Sequence, residues 1–340
     1  MKKHLCKAIL LCTAMVFAIA FFTGCERQQQ TPETDPNLVV ARIGELDVTY
    51  QEYRFYSLSK QAYLDENFPG WREQPDADQR LRDEVESLIL SDFVFLALVS
   101  EFNIVLTTSE NLALNRFINS VESSKNTEYG SGGFNRFLQE TFMTPTVFRK
   151  QVTIEYFYQP RVRAHIENLD NELIVYSQEL ALAWGEEHSD VINEFSAAHT
   201  RVKYIAVEIN EIFMPLEEAY SILRVKRDRL LETESIEEKD ALFTEFMIER
   251  GIDPRLAEIG TYFVPGNFYV DFIDPIIDEL AVGEVSEVYL QPEDMHMYLI
   301  LRLDSQPEGI ASLLYTFILT EEFLNTAVQE LPQIHWVLEE

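Results

Sequence analysis

The stretch FIDPIIDELAVGEVSEVY, residues 272–289, decides the fold. At its centre Gly283-Glu284-Val285-Ser286 follows Val282, between two apolar-rich runs. Just before it, AEIGTYFVPGNF (257–268) places Gly260 at the head of a strand. TRVKYIAVE (200–208) and MYLILRLD (297–304) are further apolar-rich stretches on either side of it. Residues 216–231 and 236–249 form a helical, highly charged crossover between them.

Towards the N-terminus the pattern turns helical. A short alternating strand over 38–43 turns at Gly44, and Thr49 with Glu52 three residues on makes a capping box. A long amphipathic helix over 77–101 carries Leu81, Val85, Leu88, Ile89, Phe93, Leu96 and Val99 on one side. Thr108-Ser109-Glu110 opens another helix, Gly130-Ser131-Gly132-Gly133 breaks the chain, and 146–168 is helical again. The glycine cluster is no phosphate loop, because no strand leads into it and no Lys-Ser/Thr follows. On the other side of the deciding stretch, Gln306-Pro307-Glu308-Gly309 marks a break, 320–331 reads as a helix, and 334–338 is an apolar end. Such an end is costly to expose and is expected to be buried.

The segment 199–304 resembles the parvulin-type peptidyl-prolyl isomerases through TRVKYIAVE, the Gly260 strand, the Gly283 turn and MYLILRLD. That resemblance implies a small antiparallel sheet wrapped by helices. Residues 38–198 resemble the N-terminal chaperone domain of the SurA/PrsA group of extracytoplasmic foldases. The resemblance is carried by VVARIGELDVTYQEYRFY (39–56), EFNIVLTTSE (101–110), GGFNRFLQETFMTPTVFRKQV (132–152) and LDNELIVYSQEL (169–180) in that order. The expected class is therefore α+β: a mostly helical chaperone domain at 38–198, a parvulin-like domain at 199–304, and a tail at 305–340 returning to the first domain.

The first 37 residues are of another kind. Lys2, Lys3 and Lys7 precede an uncharged run over 8–22, long for a signal peptide yet short of the roughly 20 apolar residues that span a bilayer. Phe22-Thr23-Gly24-Cys25 resembles a lipobox, which implies a signal peptide over 1–24 and lipid attachment at Cys25; 26–37 is a polar tether. The expected location is extracytoplasmic, on a membrane through that lipid. With Cys6 and Cys12 leaving in the signal, the body has no disulfide, thiolate metal site or cysteine nucleophile. The formal charge of −31 becomes −34 without the three signal lysines, which argues against nucleic-acid binding and for solubility.

Rotation about an X–Pro amide faces a barrier of roughly 18–20 kcal/mol and needs neither nucleophile nor cofactor, so none is expected. A catalyst holds the proline ring in an apolar pocket and favours the twisted amide. The resemblance puts Ile259, Phe268 and Phe272 in that cup, with Tyr262 beside them; residue chemistry alone equally allows ordinary core packing. The two histidines that parvulins carry at the sheet centre are replaced, by alignment of the strands, by Tyr204 and Leu299, which are expected to face each other. Asp294 stands where the family has Ser or Thr. His199 and His296 lie at odd separations from Tyr204 and Leu299, and no His-Glu-x-x-His or Gly-x-Ser-x-Gly spacing is present, so no metal site or hydrolase is expected. The implied partners are unfolded or newly secreted polypeptides and their proline-containing segments. Two functions stay open: a foldase with weakened isomerase activity, and a catalytically inactive holdase that uses the parvulin-like domain as a client surface.

Overall fold

A computed structural model describes residues 35–209, 214–264, 273–291 and 295–337. Cys25, Phe268, Phe272 and Asp294, all singled out in the sequence, lie outside the described residues. The fold is α+β, with two small antiparallel sheets among many helices. It divides into two compact units, one running to Ile174 and resuming over Thr320–Glu340, the other spanning Val175–Leu319.

The first unit starts with strands β1 (Val39–Ile43) and β2 (Leu46–Thr49), joined through Gly44 at a φ of 58°. Helix α1 (Tyr50–Asn67) follows directly, and its first turn is closed as the sequence requires: the Glu52 carboxylate accepts from the Thr49 backbone N at 2.8 Å. The apolar stripe of α2 (Ala77–Glu101) supplies Val85, Ile89 and Phe93 to a core shared with Val40, Ile43, Val48 and Tyr56. A second core gathers Leu114 of α3 (Thr108–Tyr129), Phe134 and Leu138 of α4 (Gly133–Glu140), and Phe148 and Val152 of α5 (Pro145–Thr153).

The expected single helix over 146–168 is interrupted by a π-helical turn at Ile154–Tyr158 before α6 (Gln159–Glu167). Pro160 explains it: proline has no amide hydrogen to offer the carbonyl four residues back, and the chain widens there instead. The tail strand, His335–Trp336, pairs with β1 through Ala41 opposite Trp336, and Leu331, Ile334 and Trp336 pack on the first core.

The second unit holds α7 (Gln178–Glu187), α8 (Ser189–Ala198), β3 (Thr200–Glu208), α9 (Leu216–Glu232), α10 (Ile236–Glu249), α11 (Pro254–Ile259), β4 (Thr261–Phe263), α12 (Ile273–Glu279), β5 (Tyr289–Gln291) and β6 (His296–Leu303). Its sheet is antiparallel in the order β4-β3-β6-β5. The sequence break at Pro307 is the first turn of α13 (Pro307–Glu330), not a loop, because proline suits a helix's first position. The early part of α13 packs Ile310, Ala311 and Leu314 against Trp184, Ile192 and Phe195. That packing places α7 and α8, read in the sequence as the end of the helical domain, in the second unit. Among the described residues no helix is long and apolar enough to cross a membrane.

Candidate functional site: an aromatic sheet face

Strand alternation gives the second unit's sheet two faces. On one, Ile205 and Val207 of β3 and Leu299, Leu301 and Leu303 of β6 form a closed core with Leu223 and Leu230 of α9 and Phe243, Phe246 and Met247 of α10. Two cations of β3, Arg201 and Lys203, are buried on this side. Arg201 donates to the Ile259 and Glu258 carbonyls at 2.7 and 2.9 Å, and Lys203 pairs with Asp240 and Thr244. Burial lowers the Lys203 pKa, with Asp240 opposing that shift. Every bond here goes to the protein itself, so the cluster ties β3 to α10 and α11 and leaves no cation for a ligand.

The other face is aromatic. Tyr204 of β3, Phe263 of β4, Tyr298 of β6 and Tyr289 of β5 share it with Val202 and Ile300, and Ile276 and Ile277 of α12 cover part of it. The Tyr204 ring lies 6.2 Å from Phe263 and 6.4 Å from Tyr298, centroid to centroid. Tyr204 is half-buried, and its hydroxyl hydrogen-bonds no other described residue. Burial raises its pKa, so the hydroxyl stays protonated and offers one O–H donor at neutral pH.

The deciding turn of the sequence builds this face. Gly283 has a φ of 81°, and a Cβ there would meet Ile236 Cγ1 at 2.6 Å, so glycine is required. From it the chain runs beside β6: Gly283 N donates to the Arg302 carbonyl and Ser286 N to the Ile300 carbonyl, both at 2.8 Å. Arg302 in turn donates to the Leu280 carbonyl at 2.7 Å, fixing the end of α12 over the aromatic face.

The strand register corrects the expected pairing of Tyr204 with Leu299. Tyr204 lies opposite Ile300, and Leu299 lies opposite Ile205 in the closed core, fully buried. Since a shift of one residue reverses the face, Leu299 cannot meet Tyr204; the nearby aromatic of β6 on Tyr204's side is Tyr298. His296, expected to point away, stands across from Glu208 in register with this same face, its ring 6.1 Å from that of Tyr298. His199 stacks on Phe195 at 3.8 Å, before β3 begins.

Ile259 and Tyr262 do not join the aromatic face either. Tyr262 pairs with Arg201 across β4 and β3, and it packs on Phe195 at 5.6 Å. Its hydroxyl accepts from the Gln306 backbone N at 3.2 Å, which makes it a strut. Ile259 is buried at the end of α11. Tyr289, Tyr298 and Phe263 were missed as site residues; a register fixed one residue differently on the last strand would have found Tyr298. Among the described residues no group of three His, Cys, Asp or Glu side chains could hold a metal ion.

The arrangement defines a class: an α+β unit with one sheet face closed by helices and the other carrying the half-buried Tyr204, Phe263 and Tyr289 around the buried Tyr298, and a mainly helical unit with its own core. No protein-family model matches the chain, and no curated protein matches it. Solved structures to which it is similar include PrsA from Bacillus subtilis, at 11% identity over 87% of this chain and 93% of that one, with a TM-score of 0.28. The foldase protein PrsA from Streptococcus pneumoniae is 13% identical, with 86% and 92% covered and a TM-score of 0.22. A SurA-like chaperone of Campylobacter jejuni is 14% identical, with 86% and 96% covered and a TM-score of 0.24.

Proposed function

We propose that the protein is a lipid-anchored extracytoplasmic foldase whose aromatic sheet face holds apolar, proline-containing segments of unfolded clients. The observation that carries this is the half-buried pair of Tyr204 and Phe263, backed by the buried Tyr298, on one face of the sheet. A proline ring is apolar and holds its backbone φ fixed, so it packs on aromatic rings at little entropic cost. The Tyr204 hydroxyl, kept protonated by its burial, donates to a client carbonyl near the ring. One donor among rings holds a planar and a twisted amide almost equally well. Binding without strong preference for the twisted state lowers the barrier little, so isomerisation is weak. The lipobox at Phe22 to Cys25 and the polar tether over 26–37 support the location.

The second reading, a holdase with no isomerase activity, is favoured by one observation: the residue opposite Tyr204 is Ile300, which offers no hydrogen bond. Both readings are tested by measuring suppression of client aggregation beside prolyl isomerisation of a tetrapeptide. Tyr204→Ala is expected to weaken suppression under the foldase and holdase readings alike, and measurable isomerisation by the wild type selects the foldase. Unchanged suppression by Tyr204→Ala would remove the aromatic face from the account.

A further inference from the structure

A second surface of the same sheet is independent of the aromatic face. Strand β5 stands at the end of the strand order, paired only with β6 among the described residues. Tyr289 points to the aromatic face, and Leu290, next along the strand, points to the other. There a groove of about 400 Å³ opens between the first turns of α9 and the β5 edge, lined by Leu216, Glu217, Tyr220, Val288, Leu290 and Met297. Met297, almost fully buried, is its floor, while Leu216, Tyr220 and Leu290 remain 46%, 44% and 41% exposed. The charged side chain among the six is Glu217, which stands beside Glu218 in the first turn of α9.

We propose that this groove binds an extended client segment that adds as a strand to the β5 edge, with apolar side chains at positions i and i+2 and a Lys or Arg at i+4. Three features select that occupant. An edge strand offers unpaired backbone groups that only another extended backbone satisfies in register. Pairing directs every second side chain of the added segment to the Leu290 side, where the apolar lining over Met297 takes two of them. The third meets Glu217, which selects a cation and, with a body charge of −34, rejects an acidic segment. The site needs no proline and works beside the aromatic face, so a client is gripped on both sides of one sheet. The inference rests on the foldase reading only for the nature of the occupant.

The test uses the full chain and proline-free, fluorescein-labelled hexapeptides. Leu-Thr-Val-Thr-Lys-Gly is the basic probe; its partners carry Glu for Lys, or N-methyl groups on alternate amides. Fluorescence anisotropy is expected to show the basic probe bound and the acidic one rejected. N-methylation should weaken binding by at least about tenfold, since it removes strand pairing while keeping the side chains. Glu217→Lys should weaken the basic probe by at least about fivefold and turn preference to the acidic one, with Glu217→Gln intermediate. Circular dichroism verifies that both variants fold. An unchanged preference in Glu217→Lys, or equal binding of the N-methylated probe, overturns the inference. If Tyr204→Ala abolishes probe binding and Glu217→Lys does not, the segment occupies the aromatic face: the inference falls and the foldase reading stands. If neither the probes nor unfolded clients bind the wild type, both fall.

Discussion

Replacing Trp336 tests how the tail completes the first unit. Its indole meets Tyr53 edge-on at 5.4 Å, and its Nε1 donates to the Glu86 carboxylate at 3.0 Å. Its backbone stands opposite Ala41 in the tail's pairing with β1. An aromatic pair of this geometry contributes about 0.5–1.5 kcal/mol beyond burial. A hydrogen bond to a charged acceptor contributes about 1.5–3 kcal/mol, and part exposure here argues for the lower end. Truncating a fully buried Trp costs about 3–5 kcal/mol, and Trp336 is half-buried, so Trp336→Ala should destabilise the unit by about 3 kcal/mol. Trp336→Phe keeps a ring against Tyr53 and loses the bond to Glu86, for about 1.5 kcal/mol. At about 2–4 °C per kcal/mol for a unit of this size, the alanine variant should melt about 6–12 °C lower. Trp71, buried in the same unit, reports the transition by fluorescence in a Trp184→Phe background, since Trp184 belongs to the other unit. Equal melting of wild type and Trp336→Ala would mean the tail strand adds nothing to the first core, and the packing argument would be wrong.

Three other predictions concern charge, catalysis and anchoring. Burial raises the Asp92 carboxyl pKa against the hydrogen bond it accepts from Tyr56 at 2.8 Å. The folded state therefore binds this proton more tightly than the unfolded chain, and the penalty of the ionised form is fully present above the raised folded pKa. It is relieved as pH falls through that value towards the unfolded value of about 3.9. Asp92→Asn should flatten the change in urea midpoint from pH 7 down towards pH 4 relative to wild type; identical curves would rule Asp92 out. Tyr204→His with Tyr298→His places two imidazoles on one face and should raise prolyl isomerisation more than peptide affinity, whereas Tyr204→His with Leu299→His should fail because Leu299 sits in the closed core. A faster Leu299 double variant would contradict the register. Cys25→Ala should abolish incorporation of labelled lipid; a processed, lipid-bearing variant would defeat the anchoring proposal.

Local chemistry determined much by itself. Thr49 and Glu52 announce the start of α1 because a capping box satisfies backbone donors within one turn, whatever packs around it. Gly283 marks its turn because a left-handed φ is a property of one residue, and the apolar stripe of α2 predicts which side it buries. The contrast comes with β3 and β6. Most of β6, and β3 from Tyr204 to Val207, read as apolar runs because both sheet faces are covered to some degree, and the two charges of β3, Arg201 and Lys203, lie on the buried side, so polarity does not fix the register. Only the tertiary pairing decided that Tyr204 stands opposite Ile300, which moves Leu299 into a core and brings Tyr298 to the aromatic face. Tyr262 is decided the same way: its sequence position suggests a pocket wall, while its bonds to Gln306 and its packing on Phe195 depend on helices distant in the chain. The groove beside β5 had no sequence signal at all, because Leu216, Leu290 and Met297 come from three elements and meet only when the sheet closes against α9.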